Sequence, residues 1–165
     1  MARTLSILSD NRTANPDRFG CTHGLSVLVR TLSAGILMDT GASGLFSVNA
    51  ARMGLDLSDV DYVFLSHGHA DHVGGLKTFL DLNSKAKILV SPWAVSGRFY
   101  SERGGLHSFE SEDELTALAE RLVTRYPLVS FLTGHCTGSE SFRILQTVMG
   151  SRLQQFACGM QIDMK

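Results

Sequence analysis

The stretch that decides the fold is FLSHGHADHVGG, residues 64–75, which continues an apolar run that begins near residue 61. It places three histidines and an aspartate within six residues, namely His67, His69, Asp71 and His72. Imidazole and carboxylate together form the ligand set of zinc and of other borderline divalent metals. The HxHxDH spacing therefore predicts a metal-binding loop; the alternative is a chance cluster of polar loop residues.

The order of the four side chains predicts two groups. His67 and His69 are two residues apart, so on an extended loop they lie on the same side and can converge on one ion. Asp71 and His72 follow where a helix is expected to start, which turns them towards a second position. The small residues around them, including Gly74 and Gly75, remove the bulk that would prevent a tight backbone path.

Length and composition bound the remaining possibilities. The 165 residues have the size of one domain, residues 1–165, and 44% of them are apolar, which is ample for a core. The formal net charge of −1 gives no reason to expect nucleic acid or an acidic membrane as a partner. The three cysteines form no CxxC pair, which is typical of a reducing compartment, so we expect a cytoplasmic location.

Hydrophobic patterning predicts strands and helices that alternate after an initial run of strands. Strands are predicted at Thr4–Ser9, Leu25–Thr31, Ile36–Met38, Asp61–Ser66, Lys87–Ser91 and Leu128–Thr133, with the Asp61–Ser66 strand buried. Helices are predicted at residues 43–53, at Gly75–Asn83, from Pro92, behind Ser111 and at Ser139–Met149. A closing hairpin is expected from Leu153–Cys158 and Met160–Asp163. The pattern indicates one mixed α/β domain.

The helix behind Ser111 has its own start signal. Ser111 and Glu114 match a capping box, in which the serine is the N-cap and the glutamate reaches back to it. Behind this box, apolar residues recur at helical spacing on one face: Leu115, Leu118, Ala119, Leu122 and Val123.

Three further residues are candidates for the site, each with a structural alternative. Asp39 ends a predicted strand; it could accept the second ring N–H of a ligating histidine or could bond backbone amides of a turn. His23 could border the site or be a structural histidine. Cys136 could be a soft ligand, but small buried cysteines are common, which favours a structural role.

Several segments resemble a known family. HGHADH after an apolar strand is similar to the metal signature of the metallo-β-lactamase fold superfamily. Other segments resemble, in the same order, a subgroup of dihydropterin–ribofuranosylaminobenzene-phosphate synthase-like proteins. They are CTHGLS at 21–26, GILMDTG at 35–41, GGLHSF at 104–109 and TGHCTG at 133–138, with Gly159 in a matching final hairpin. The resemblance covers most of the chain.

The resemblance implies an α/β (α+β) fold, an αββα metallo-β-lactamase-like sandwich, with metal ligands drawn from several loops. His67 and His69 would serve a first metal, Asp71, His72 and His135 a second, and His107 would lie at or near the position between them. Asp71 would also be catalytic, because it could orient a water and handle its proton.

One departure from the family pattern concerns the first metal position. Related longer sequences carry a further strand pair and another histidine before the GGLHSF-like segment, whereas residues 92–103 here contain no histidine. The chain thus looks like a shortened version of the fold. Since zinc sites normally hold at least three protein ligands, we expect about one tightly held metal per chain, at Asp71, His72 and His135.

The leading functional hypothesis is a metal-dependent hydrolase that uses metal-bound water on an ester, phosphoester or amide-type small molecule. The expected cofactor is Zn²⁺, one or two ions, with Mn²⁺, Fe²⁺ or another divalent metal as alternatives. Two other functions stay open: a pterin-related transferase, as the subgroup resemblance implies, and a non-catalytic metal-binding remnant of the fold. The expected partner is a small-molecule substrate, with no nucleic acid and no membrane, and a homo-oligomer is left open.

Overall fold

The computed structural model describes residues 3–90 and 111–164. These residues form two compact units, one from 3–90 with 157–164 and the other from 111–156. The first unit contains β1 (Thr4–Ser9), β2 (Ser26–Arg30), β3 (Gly35–Met38), α1 (Leu45–Arg52), β4 (Tyr62–Leu65), α2 (Ala70–Val73), α3 (Leu76–Leu82), β5 (Lys87–Val90) and β8 (Gln161–Asp163). The second contains α4 (Glu112–Arg125), β6 (Phe131–Thr133), α5 (Ser139–Met149) and β7 (Leu153–Gln155), with 3₁₀ turns at His135–Thr137 and Gly150–Arg152.

A six-stranded sheet organises the first unit, in the order β5-β4-β3-β2-β1-β8. The strands from β8 to β3 are antiparallel to their neighbours, whereas β3, β4 and β5 run parallel. Met38, the last residue of β3, pairs with Phe64 of β4. Since parallel strands end at the same edge of a sheet, the residues that follow β3 and β4 emerge side by side, a common place for functional groups.

The core of the first unit forms between the sheet and two helices. Leu28, Leu37 and Val63 occupy consecutive register positions on β2, β3 and β4 and are fully buried. Phe46 of α1 and Phe79 of α3 belong to the same buried cluster. This packing holds the carboxyl ends of β3 and β4 on a rigid support.

The second unit has its own core, which lies between α4, α5 and the short strands. Its buried members are Leu115, Ala119, Ile144, Leu145, Met149 and Leu153. The helix starts as the capping box predicts, because the Ser111 hydroxyl accepts a hydrogen bond from the Glu114 amide at 3.2 Å. At the other end of α4, the Arg152 guanidinium donates to the carbonyls of Tyr126 and Pro127, which satisfies acceptors that a helix end leaves open.

Most of the predicted elements are confirmed to within two residues, and a mixed α/β fold is confirmed. Two predictions about strands are wrong in detail. The strand at Tyr62–Leu65 is not wholly buried, since Phe64 is 40% exposed and the strand alternates between its two faces. The strand predicted from Leu128 starts only at Phe131, because Leu128 is 96% exposed in the loop behind Pro127.

The predicted closing hairpin is wrong. Leu153–Gln155 pairs in parallel with Phe131–Thr133, whereas Gln161–Asp163 pairs antiparallel with Thr4–Ser9. The two strands therefore belong to different sheets, and the chain between them leaves one unit for the other. The helix predicted from Pro92 lies outside the described residues.

Candidate metal centre

The centre of the site is a buried aspartate at the end of β3. Asp39 is fully buried, and its backbone amide donates to the Phe64 carbonyl of β4 at 2.9 Å. Its φ of 55° lies in the left-handed region, which aspartate adopts more readily than most residues. This turn carries the side chain of Asp39 towards Ser66, which follows the neighbouring strand.

The Asp39 carboxylate accepts three hydrogen bonds. Oδ1 accepts from the Ser66 backbone amide at 2.8 Å, and Oδ2 accepts from the Ser66 hydroxyl and from His72 Nδ1, both at 2.7 Å. The prediction that Asp39 accepts a ring N–H of a histidine in the HxHxDH segment is therefore confirmed. Because the carboxylate takes the Nδ1 proton, His72 keeps the lone pair of Nε2 for another partner.

The helix that carries Asp71 and His72 is held close to two neighbouring loops. The Thr40 amide donates to the His72 carbonyl at 2.7 Å, and the Leu25 amide donates to the Asp71 carbonyl at 3.1 Å. At Gly75, a Cβ atom would lie 2.2 Å from the Thr40 carbonyl oxygen. Glycine is thus required for this close backbone approach, as the sequence predicts.

His67 and His69 converge as their spacing predicts. His67 Nε2 lies 3.0 Å from His69 Nδ1, and the two rings meet nearly edge to face, 4.5 Å apart and at 75°. The His67 ring also lies 4.0 Å from the His72 ring. Two ligand atoms that are each about 2.1 Å from one ion lie about 3.0–3.4 Å apart, so the pair of nitrogens fits a small divalent cation.

The surroundings of His67 disfavour its protonated form. Burial and the neighbouring imidazoles of His72 and His69 lower the pKa of His67 below its ordinary value of 6.5. Both effects disfavour a second proton on the ring. A neutral imidazole has one free lone pair, which is the form that binds a metal.

Asp71 lies between a buried histidine and an exposed one. Its Oδ2 is 3.8 Å from Nε2 of His72, whose side chain is 3% exposed. The same oxygen is 3.0 Å from Nε2 of His23, whose side chain is 73% exposed. The Asp71 side chain is 21% exposed, so its carboxylate is accessible to a ligand from solvent.

The remaining predicted ligands are placed as follows. His135 is buried in the second unit, at the start of the 3₁₀ turn after β6. The preceding Gly134 lies against the Phe156 ring, where a Cβ would be 2.0 Å from a ring carbon. The neighbouring Cys136 is half-buried. His107 lies outside the described residues. Metal ligation by His135 and His107 stays a prediction.

The sequence interpretation missed two contacts of the site. The sequence pattern places Ser66 only at the end of a strand. A hydroxyl directly before the first histidine of the motif could have indicated its contacts with Asp39 and His67. His23 was left undecided, because its proximity to Asp71 depends on a loop 48 residues earlier in the chain.

The donor set fits a divalent metal. Two imidazole nitrogens lie at ligand spacing, and a third histidine, His72, has its Nδ1 hydrogen-bonded to the buried carboxylate of Asp39. An accessible carboxylate lies next to that histidine. A carboxylate-bonded histidine of this kind is the usual arrangement behind a metal-ligating imidazole.

The chain is similar to a known protein family and to proteins of known sequence and structure. The pattern of the Metallo-beta-lactamase superfamily matches residues 19–147, which is most of the chain. An uncharacterized protein of Methanocaldococcus jannaschii, MJ0448, is 34% identical over 77 residues, which is 47% of this chain and 29% of that protein. The chain thus matches less than a third of the length of this relative.

A solved structure extends the fold comparison to the whole chain. Tm1679, described as a metal-dependent hydrolase of the beta-lactamase superfamily, superposes with a TM-score of 0.73 over 99% of both chains, at 17% identity. At this identity the likeness concerns the fold alone. The HxHxDH segment after β4, together with the match over residues 19–147, shows that the chain belongs to the metallo-beta-lactamase superfamily.

Proposed function

We propose that this chain is a metal-dependent hydrolase of small molecules that contain an ester, phosphoester or amide-type bond. The observation that carries the proposal is the bond from His72 Nδ1 to the buried Asp39, because it leaves Nε2 of His72 beside the accessible Asp71 carboxylate. Membership of a superfamily rich in metal-dependent hydrolases supports the same function.

His67 and His69 would hold one metal ion and Asp71, His72 and His135 a second, with His107 at or near the position between them. Zn²⁺ is the first choice for this donor set, and Mn²⁺ or Fe²⁺ are alternatives. When bound, such an ion lowers the pKa of water to about 7 and polarises a carbonyl or phosphoryl oxygen of the substrate.

The protein's own residues would position the reacting groups. Asp71 has the exposure needed to orient a water molecule and to accept its proton. His23 Nε2 lies 3.0 Å from the Asp71 carboxylate and limits its rotation. Asp39 accepts the hydrogen bond of His72 Nδ1, so the orientation of the His72 ring does not depend on a bound substrate.

The first test is metal content, measured by elemental analysis of protein purified without chelator. We expect about one metal ion per chain, a melting temperature that rises with Zn²⁺ or Mn²⁺, and one that falls with EDTA. Asp71→Ala and His72→Ala should lower the metal content more than His23→Ala does, because His23 lies outside the HxHxDH motif. Indifference of the melting temperature to both zinc and EDTA would contradict the proposal, as would equal metal loss in His23→Ala.

The second part of the test is turnover. Protein loaded with Zn²⁺ should release acid or phosphate from generic ester and phosphoester substrates, and Asp71→Ala should abolish this release. Metal uptake without turnover would favour the non-catalytic remnant. Stabilisation by pterins, again without hydrolysis, would favour the transferase that the subgroup resemblance implies. Either result would overturn the hydrolase assignment.

A further inference from the structure

We propose that Ser66 is a positioning residue that selects the ring tautomer of His67, so that the single carboxylate of Asp39 orients two histidines of the site. The inference rests on the proposed function in so far as His67 is taken as a metal ligand. Nothing in the HxHxDH pattern itself assigns a role to the residue before the first histidine.

The argument starts from the one proton of the Ser66 hydroxyl. Ser66 Oγ lies 2.7 Å from Asp39 Oδ2 and 2.9 Å from His67 Nδ1, with a longer contact of 3.4 Å to His72 Nδ1. A carboxylate oxygen can only accept, so the hydroxyl proton belongs in the bond to Asp39. The Ser66 oxygen is then left with lone pairs, and it can only accept from His67.

This assignment decides where the proton of the His67 ring lies. His67 Nδ1 must carry the proton that Ser66 Oγ accepts, and Nε2 must carry the lone pair. Nε2 is the nitrogen that lies 3.0 Å from His69 Nδ1. The lone pair of His67 therefore faces the convergence point of the two histidines, which is the orientation that metal binding requires.

The Asp39 carboxylate also orients the ring of His72. His72 donates Nδ1–H directly to Asp39 Oδ2, whereas His67 donates Nδ1–H through the Ser66 hydroxyl to that oxygen. The two rings lie 4.0 Å apart, with their Nδ1 atoms directed to one charge. A buried carboxylate thus sets the direction of both rings, one directly and one by way of the serine.

The role of the hydroxyl can be separated from the structural role of the residue. The Ser66 backbone amide donates to Asp39 Oδ1 at 2.8 Å, and this bond survives any change of side chain. Ser66 is exposed, so a larger side chain can be accommodated. Ser66→Ala removes the hydroxyl, and with it both the bond to Asp39 Oδ2 and the link to His67, whereas Ser66→Thr keeps a hydroxyl. Ser33→Ala, an exposed serine in the β2–β3 turn, serves as the matched control.

The experiment has two readouts on chelator-treated protein. Long-range ¹H–¹⁵N correlation spectra at about pH 8, above the ordinary imidazole pKa of about 6.5, report which nitrogen of His67 is protonated. Calorimetric titration with Zn²⁺ then reports the affinity of the site. We expect Nδ1–H for His67 in the unchanged protein, a mixture of tautomers in Ser66→Ala, and roughly a tenfold weaker Zn²⁺ affinity in that variant. Ser66→Thr and Ser33→Ala should behave like the unchanged protein.

The outcomes distinguish this inference from the proposed function. A protonated Nε2 on His67 in the unchanged protein would overturn the inference, even if Ser66→Ala did not fold. An unaltered tautomer and an unaltered affinity in Ser66→Ala would also overturn it. Failure of the unchanged protein to bind Zn²⁺, with His67 in the Nδ1–H form, would refute the proposed function and leave the tautomer assignment standing.

Discussion

At the scale of single residues, the site depends on one buried carboxylate with several partners. A buried charge is costly unless it is hydrogen-bonded, and Asp39 meets this need with two bonds from Ser66 and one from His72. Its left-handed backbone directs the carboxylate towards both. Asp39 thus supports the stability of the sheet edge and the geometry of the histidines at the same time.

We expect Asp39→Asn to lower both the stability and the metal affinity. Asparagine tolerates the left-handed backbone and has the same size as aspartate. Its NH₂ group is itself a donor, however, so it would face a group that now donates a hydrogen bond to Asp39. The free energy of unfolding should fall by about 2 kcal/mol. Urea denaturation and Zn²⁺ calorimetry check the two effects. Asp56→Asn, at an exposed aspartate that accepts the Ser58 amide, should change neither, and equal effects of the two variants would contradict the assignment.

At the scale of elements, the N-termini of the two longest described helices show which local sequence signals set a helix start. The α4 helix begins with Ser111 as its N-cap and has Glu112, Asp113 and Glu114 in its first turn. These acidic residues complement the positive end of the helix. The α5 helix starts after Gly138, which makes no side-chain cap. The first start was predictable from a capping motif, whereas no side-chain cap marks the second.

Ser111→Ala should destabilise the second unit by about 1 kcal/mol, because the Glu114 amide loses its acceptor. Ser139→Ala is the matched control, since Ser139 is the first residue of α5 and is exposed. Thermal or urea unfolding monitored by circular dichroism measures the difference. The assignment of Ser111 as a functional cap fails if the two alanine variants are equally stable.

At the scale of the whole molecule, the C-terminal segment returns to the first strand. The Asp10 amide donates to Cys158 Sγ at 2.9 Å, and the thiol donates back to the Asp10 carbonyl at 3.4 Å. The Gly159 amide donates to the Ile7 carbonyl, and β8 then pairs with β1. The thiol is buried, and this burial raises the pKa of Cys158 from 9.0 to about 11.

This pKa shift predicts a loss of stability at alkaline pH. The folded chain keeps the thiol proton up to about pH 11, whereas the unfolded chain releases it near pH 9. The stabilisation is therefore fully present below pH 9 and is lost as the pH rises to about 11, with a total on the order of 2 kcal/mol. Urea midpoints measured across this range test the prediction.

Cys158→Ser is the control for that measurement, because a serine hydroxyl keeps a donor and an acceptor but does not titrate in this range. Its midpoints should decline less steeply with pH than those of the unchanged protein. Parallel declines would show that other groups account for the pH dependence.

Some features of this protein follow from local sequence, and others follow from contacts between distant segments. The HxHxDH loop, most strands and helices and the capped start of α4 were predictable from sequence, because each depends on residues close together in the chain. The sequence also indicated Asp39, through its place at the end of a strand.

The contacts that join distant segments could be seen only in the folded structure. The hairpin prediction failed because Leu153–Gln155 and Gln161–Asp163 each pair with a strand far away in the sequence. Parallel pairing of β3 with β4 brings the Ser66 hydroxyl to the Asp39 carboxylate. The loop before β2 brings His23 to within 3.0 Å of the Asp71 carboxylate. Local patterns carry no record of such pairings, since strand order depends on how whole apolar faces are buried together.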